Sequence, residues 1–546
     1  MLAVPLASTS SNSHELFAQR LTEMTPNVPL VLDDDGSYYF AMKGHARPRP
    51  SLQDQRGLVF QPIRLEEGRG SDGTGIINIF GLTEHGSTVM VSVRDYHQWF
   101  YMPHPEGFKV KQAPAWRDKL NVRRFPGPYL KLVGKDNVVA KILPLTEALK
   151  VYVALPDELD NLKNKSPHNG SFPDNPRLTL FPQMLVSTGT VSETTEGNDK
   201  YLAAFMREKK VQVMNWLSLS SGTYRVVPDD SRVSTCQLEV TASGRNIVLL
   251  ASSRTELVTQ RLPEIAPLRV LSFDVETMVF RPTPPATRAP FPHPTTSEVL
   301  QISNIISRRY GKDQSMELSS RVIFTLGKCA AISGAQVFWF DTEEELLLSW
   351  HQFVKSIDPD VITGYNMGRF DLPFLLARAK ILGIQDTFGR LGRLEGGMLL
   401  LSAESWSFMR VCVPDPCLHF SPWDANAPQN EWKDMPIVPG RITFDASNYI
   451  ARNKFALGLA SARLGDVALQ LLGEAKLDLC FELVQDYQEG GPETRRRMAL
   501  YCLKDAYLVQ RLLDVHSCLR NDLALARGNS VTVEELATRN GNRNAH

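Results

Sequence analysis

The sequence predicts an α/β protein in two successive parts, a mostly β region over residues 57–265 and an α/β region over residues 266–520. Three observations predict this. Residues 75–82 and 88–93 are β-rich runs separated by Glu84-His85-Gly86, which is a hairpin signature. From Arg269 onward, strand-like runs alternate with segments whose apolar residues recur at helical spacing. The 546 residues are 43% hydrophobic and 22% charged, which suits a globular chain of several domains.

Taken in order, residues 1–56 are rich in Ser, Asn, Pro and charge and read as a flexible arm. Met1 to His14 lacks a basic flank before an apolar core, so no signal peptide is expected. No apolar run reaches about 18 residues, so no membrane span is expected. After the hairpin, further short strands are expected near residues 130–133, 148–154, 211–216 and 236–240. In the second part, Thr342 and Glu345 are spaced as a capping box. Leu346, Leu347, Trp350, Phe353, Val354 and Ile357 then follow one helical face. Val361-Ile362-Thr363-Gly364 reads as a strand, and a helix starts near Asp371-Leu372-Pro373. A last long helix opens at Gly491-Pro492-Glu493, with Pro near its first position, and runs to about Leu519. Two insertions interrupt this layout. Residues 281–294 hold six prolines and read as a loop. Residues 396–439 read as a long excursion compatible with a β-hairpin, and residues 521–546 as a C-terminal tail.

Sixty basic and sixty acidic residues give a formal net charge of +0, so charge alone gives no sign of nucleic-acid binding. The seven cysteines, Cys236, Cys329, Cys412, Cys417, Cys480, Cys502 and Cys518, form no C-x-x-C pair. A zinc site or disulfide framework is not expected, and a reducing compartment fits better.

Three acidic motifs carry chemistry. Phe273-Asp274-Val275-Glu276-Thr277 reads as a strand, in which Asp274 and Glu276 share one face. Two neighbouring carboxylates in an apolar strand repel and lose hydration, and a divalent cation compensates both costs. The alternative is an exposed strand with a polar face. Gly364-Tyr365-Asn366-Met367-Gly368-Arg369-Phe370-Asp371 carries the chain from strand to helix. Asp371 stands where an N-cap would and also where a metal could bind at the carboxyl edge of the sheet, two roles that need not exclude each other. Tyr501 and Asp505 lie four apart on one helix face. Alone, that pair reads as a half-buried Tyr and a solvated Asp. Together, the four acids can converge on two cations, Mg²⁺ or Mn²⁺, which would stabilise both oxygens of a phosphoryl displacement. The Tyr501 hydroxyl could then orient the attacking water.

The order D-x-E, N-x-x-x-F-D, Y-x-x-x-D resembles the exonuclease motifs of family B DNA polymerases, most closely its delta-like members. The stretches 266–274, 358–366 and 494–508 carry the likeness, with Phe100-Tyr101-Met102-Pro103, Asn215-Trp216-Leu217 and Thr235-Cys236-Gln237-Leu238-Glu239 matching more loosely. The resemblance covers about residues 58–519. It implies an RNase H-like 3′–5′ exonuclease domain, a mixed sheet flanked by helices, behind an N-terminal domain with an OB-like part. It implies that Asp274 bridges two metals, that Glu276 and Asp505 complete one site, and that Asp371 helps hold the other. Tyr501 would position water, and Asn366 and Phe370 would lie near a frayed primer end. The implied substrate is a single-stranded DNA 3′ end or frayed primer terminus, with polymerase accessory subunits as partners, a nuclear location and no redox cofactor.

No D-x-x-S-L-Y-P and no Y-G-D-T-D occurs in the sequence, so templated synthesis is not expected of this chain. Three other readings remain at this level. One is a non-catalytic DNA-binding or assembly module left by truncation. Another is a different RNase H-like nuclease, and the third is part of a longer polymerase.

Overall fold

The structure, a computed structural model, describes residues 8–24, 30–32, 40–42, 47–50, 57–69, 75–103, 109, 111, 139–144, 148–153, 201–281, 289–310, 315–395 and 437–539. The expected strand at 130–133 and nearly all of the 396–439 excursion lie outside the described residues.

The α/β part is built on a six-stranded mixed sheet. Its order is Gln336–Phe340, Ser315–Leu326, Val299–Tyr310, Arg269–Thr277, Val361–Gly364, Ile442–Asp445. The central strand, Arg269–Thr277, runs antiparallel to Val299–Tyr310 and parallel to Val361–Gly364, which is itself parallel to Ile442–Asp445. The carboxyl ends of three parallel strands therefore share one edge of the sheet, which is where α/β folds gather functional groups. The helix Glu343–Ile357 covers one face. Its Thr342–Glu345 capping box forms as expected, and Leu346, Leu347, Trp350, Phe353, Val354 and Ile357 are all fully buried.

The helix Pro492–Val515 covers the other face. It is fastened to the strands by side chains that reach its carbonyl groups. Ser272 Oγ donates to the Ala506 carbonyl (2.8 Å) and Ser303 Oγ to the Cys502 carbonyl (2.8 Å). Buried serines serve well here, because a hydroxyl between strand and helix costs little only when it is hydrogen-bonded.

The β part contains a seven-stranded sheet in the order 224–226, 238–242, 88–93, 75–82, 58–69, 216–219, 248–251, and a separate three-stranded sheet of 98–103, 148–153 and 139–144. The strands at 75–82 and 88–93 occupy the expected residues and pair antiparallel. The expected strand at 211–216 is not one. Val211 N–H caps the helix Tyr201–Lys209 by donating to the Met206 carbonyl (3.0 Å), and Met214 has φ 64°. The strand begins only at Trp216. Val211 and Val213 are both buried, as in a strand, but they belong to a helix cap and a turn.

Two further expectations change. The arm over residues 1–56 contains a helix, Ser8–Glu23, because Phe17 and Leu21 form an i,i+4 apolar pair that is buried on the protein. The boundary at residue 520 falls inside a helix, Cys518–Asn529, and another helix, Val533–Arg539, follows it. Val531, Val533 and Leu536 are buried, so residues 521–539 are part of the folded body.

Candidate active site

The strand pattern places Asp274 and Glu276 half-buried on one face of the central strand, while Phe273 and Val275 are buried on the other. The neighbouring strand stops at Gly364, where a Cβ would lie 2.9 Å from the Phe273 carbonyl oxygen, so only glycine lets the two backbones approach. Asn366 then adopts φ 65°, a left-handed conformation that asparagine tolerates.

The turn after Gly364 is held by Asp445 at the end of the next strand. Its carboxylate accepts from Asn366 N–H (2.9 Å), Gly368 N–H (3.0 Å) and the Ser447 N–H (2.9 Å). Asp445 was not singled out from the sequence. The signal present there was an N-cap pattern, Asp445-Ala446-Ser447, after a short β run, and that local pattern does not disclose the turn 79 residues earlier.

Asp371 is the first residue of the helix Asp371–Ile381, whose N-cap is Phe370, and no side-chain cap forms there. The capping alternative for Asp371 therefore fails. Its Oδ1 instead accepts the N–H of Val275 (3.0 Å), the residue between Asp274 and Glu276. One hydrogen bond thus ties the second acidic motif to the first.

Asp505 enters from the long helix and is buried rather than solvated. Lys476 Nζ lies 2.5 Å from its Oδ2 and 4.6 Å from the centre of the Tyr501 ring. The sequence reading missed Lys476, because it sits beyond a helix end with no periodic partner and reaches the site only through the tertiary fold. Asn366 is exposed and Phe370 half-buried. Phe370 packs against Phe374 and edge-on against Phe291, with ring centres 5.5 and 5.7 Å apart.

The electrostatics fit a cation site. Burial pushes the Asp274 carboxyl well above the usual range, and repulsion from Asp505, Asp371 and Glu276 adds to it. Burial also pushes Glu276 up to about 8 and Asp371 up to about 7. Asp505 is pushed up only to about 6, because burial is opposed there by Lys476. The Tyr501 hydroxyl is raised by burial and then by Asp505 and Glu276, so it stays protonated and able to donate.

Asp505 Oδ1 is buried without a hydrogen-bond partner, an orphaned acceptor of the kind a metal satisfies. Ligand atoms of Asp274, Glu276 and Cys502 lie within 4.8 Å of one another. The Cys502 thiol donates to the Asp274 carbonyl (3.4 Å) and burial raises its pKa, so it backs the strand as a neutral group. The carboxylates are then the donors, and oxygen donors suit Mg²⁺ and Mn²⁺.

Residues 192–457 match the family model described as DNA polymerase family B, exonuclease domain. The chain is 30% identical over 499 residues to the DNA polymerase delta catalytic subunit of Schizosaccharomyces pombe, covering 90% of this chain and 41% of that protein. It is 31% identical over 510 residues to the subunit of the same name from Oryza sativa, covering 89% and 41%. Against the Caenorhabditis elegans subunit the identity is 29% over 550 residues, covering 97% and 46%. The chain thus spans less than half the length of these relatives. Among solved structures, the family B DNA polymerase of Pyrobaculum calidifontis shares the fold with a TM-score of 0.53 at 18% identity, over 88% of this chain and 48% of that one. Residues 192–457 thus carry the exonuclease domain of the family B DNA polymerases, and about nine-tenths of the chain is similar to delta catalytic subunits.

Proposed function

We propose that the chain removes nucleotides from a DNA 3′ end by metal-assisted hydrolysis, as the proofreading portion of a delta-like polymerase. The observation that supports this most is the convergence of four carboxylates from three separate elements, Asp371 and Asp505 buried and Asp274 and Glu276 half-buried, with one oxygen of Asp505 unpartnered. Buried like charges at this density are costly unless cations share the site.

In this reading two divalent cations, Mg²⁺ or Mn²⁺, would be held by these acids: Asp274 would serve both, Glu276 and Asp505 would complete one site, and Asp371 would help hold the other. Bound there, such ions supply charge to the attacking and leaving oxygens of a phosphodiester displacement. The chain's own groups do the rest. Tyr501, protonated and one turn from Asp505, offers its hydroxyl to orient the attacking water. Lys476 holds Asp505 ionised and in place. Asn366 and Phe370, at the rim, receive the unpaired end of the strand. The substrate is a single-stranded 3′ end or frayed primer terminus. Polymerase accessory subunits and a nuclear location accompany this reading.

Purified protein is expected to shorten single-stranded DNA from its 3′ end with Mg²⁺ or Mn²⁺ and to be silent in EDTA. Asp274→Ala is expected to remove nearly all of that activity, because it strips a ligand shared by both cations. Cleavage that survives EDTA, or that proceeds from the 5′ end, would overturn the reading.

A further inference from the structure

The helix Ser8–Glu23 lies along the outer side of the long catalytic helix. Phe17 is buried with its ring centre 5.7 Å from that of Tyr507. Lys504 Nζ sits over both rings, 4.9 Å from Phe17 and 5.0 Å from Tyr507. One turn on, Leu21 is fully buried, and its carbonyl passes so close to Gly334 that a Cβ there would meet it at 2.5 Å. Glu15 pairs with both terminal nitrogens of Arg496 (2.7 and 3.2 Å). This helix is seated by aromatic packing, a close backbone approach and a two-pronged ion pair.

Its last contact reaches toward the site. Arg20 pairs with Glu474 (3.1 Å), which also receives Lys504 Nζ (2.8 Å) and Arg511 Nε (3.1 Å) from the long helix. Arg20 is 46% exposed and Glu474 9%, so the carboxylate is the buried hub and the arginine its outer cover. An isolated exposed pair contributes little. Here the same carboxylate gathers three cations, and the covering helix shields two of the groups from water. Glu474 stands just past Gly473, the left-handed C-cap of the helix Leu464–Leu472. Two residues later, Lys476 meets Asp505.

We propose that the N-terminal helix is a positioning element of the nuclease site, clamping Glu474 and so fixing the span that delivers Lys476 to Asp505. The proposal rests on the nuclease reading above. It makes Arg20 and Glu474 positioning residues, acting through Lys476 without touching substrate.

The test uses the full chain carrying Phe17→Ala with Arg20→Ala, compared with the parent in single-turnover cleavage of single-stranded DNA with Mg²⁺. The clamp predicts a fall in rate of about three- to tenfold with unchanged DNA affinity, a size typical of coupled networks. In a Lys476→Ala background the same pair should add no further loss, because the residue through which it acts is gone. An equal loss in both backgrounds, or no loss in either, overturns the proposal. Hydrogen exchange supplies a readout independent of activity. Amides of residues 473–480 should exchange faster in the Phe17→Ala, Arg20→Ala chain, and unchanged protection overturns the clamp. If the parent chain shows no cleavage, the nuclease reading fails, and exchange alone then decides whether the clamp exists.

Discussion

Asp274 carries the heaviest electrostatic load in the site, since burial and three neighbouring acids all favour its protonated form. This has a consequence for stability. A carboxylate whose folded pKa is raised keeps a proton that the unfolded chain releases at about pH 4. Its contribution is complete below that value and is lost as pH rises through the folded values, about 6 for Asp505, 7 for Asp371 and 8 for Glu276. In EDTA, the melting temperature is therefore expected to fall between pH 5 and pH 8.5, and Mg²⁺ should restore it far more at the upper end. Asp274→Asn should flatten this dependence; thermal melts that keep the parent's slope would refute the assignment. Tyr501→Phe keeps the ring and removes the hydroxyl, so single-turnover rates should drop by about 10²–10⁴ with DNA affinity in Ca²⁺ intact. Cleavage at the parent's rate would return Tyr501 to a packing role. Asp274, Glu276, Tyr501 and Asp505 were legible because their spacing follows the period of a strand or a helix. Lys476 and Asp445 were not, because each acts on groups that only the closed chain brings near.

At the scale of elements, the join between the central strand and the loop before Val361 is ionic. Asp360 is fully buried and accepts from Arg47 (2.8 Å), Arg393 (2.7 Å) and the Arg269 N–H (2.7 Å). Asp358 takes Arg393 and Arg441 (2.8 and 2.7 Å), and those arginines hold its carboxyl well below the usual range against the effect of burial. Asp360→Ala would strand buried guanidinium groups, so it is expected to cost about 3–5 kcal/mol in urea unfolding. A loss under about 1 kcal/mol would mean that water replaces the carboxylate. The sequence reading gave Asp358 and Asp360 no structural role beyond the likeness carried by residues 358–366, since their partners come from positions 47, 269, 393 and 441. The capping box at Thr342 and the Pro at the start of the long helix were legible because caps are local.

For the whole molecule, the two parts share one apolar interior. Phe60 and Trp216 of the β part, Val270 of the central strand, Leu508 of the long helix and Leu536 near the chain's end all belong to it. Polar bonds cross the same boundary. Arg64 pairs with Glu534, Gly440 N–H donates to Glu66 (2.8 Å), and Thr443 N–H donates to Glu534 (3.0 Å). Calorimetry should therefore show a single cooperative transition for the described body; two separated transitions would mean that the boundary is weak. The sequence reading divided the chain into a β part and an α/β part by their periodicities, and placed the end of the fold at residue 520. A helix with Val533 and Leu536 on its inner side has too few turns to announce itself before its partners are known.

The hydrogen bond from Val275 N–H to Asp371 gives the protein a built-in spectroscopic reporter. That amide lies between two of the acids and donates to a third, so its nitrogen and proton resonances feel every change of charge in the site. In a ¹⁵N-labelled sample, a magnesium titration should move the Val275 cross-peak early and far, and the course of that shift would count the binding events without any substrate present.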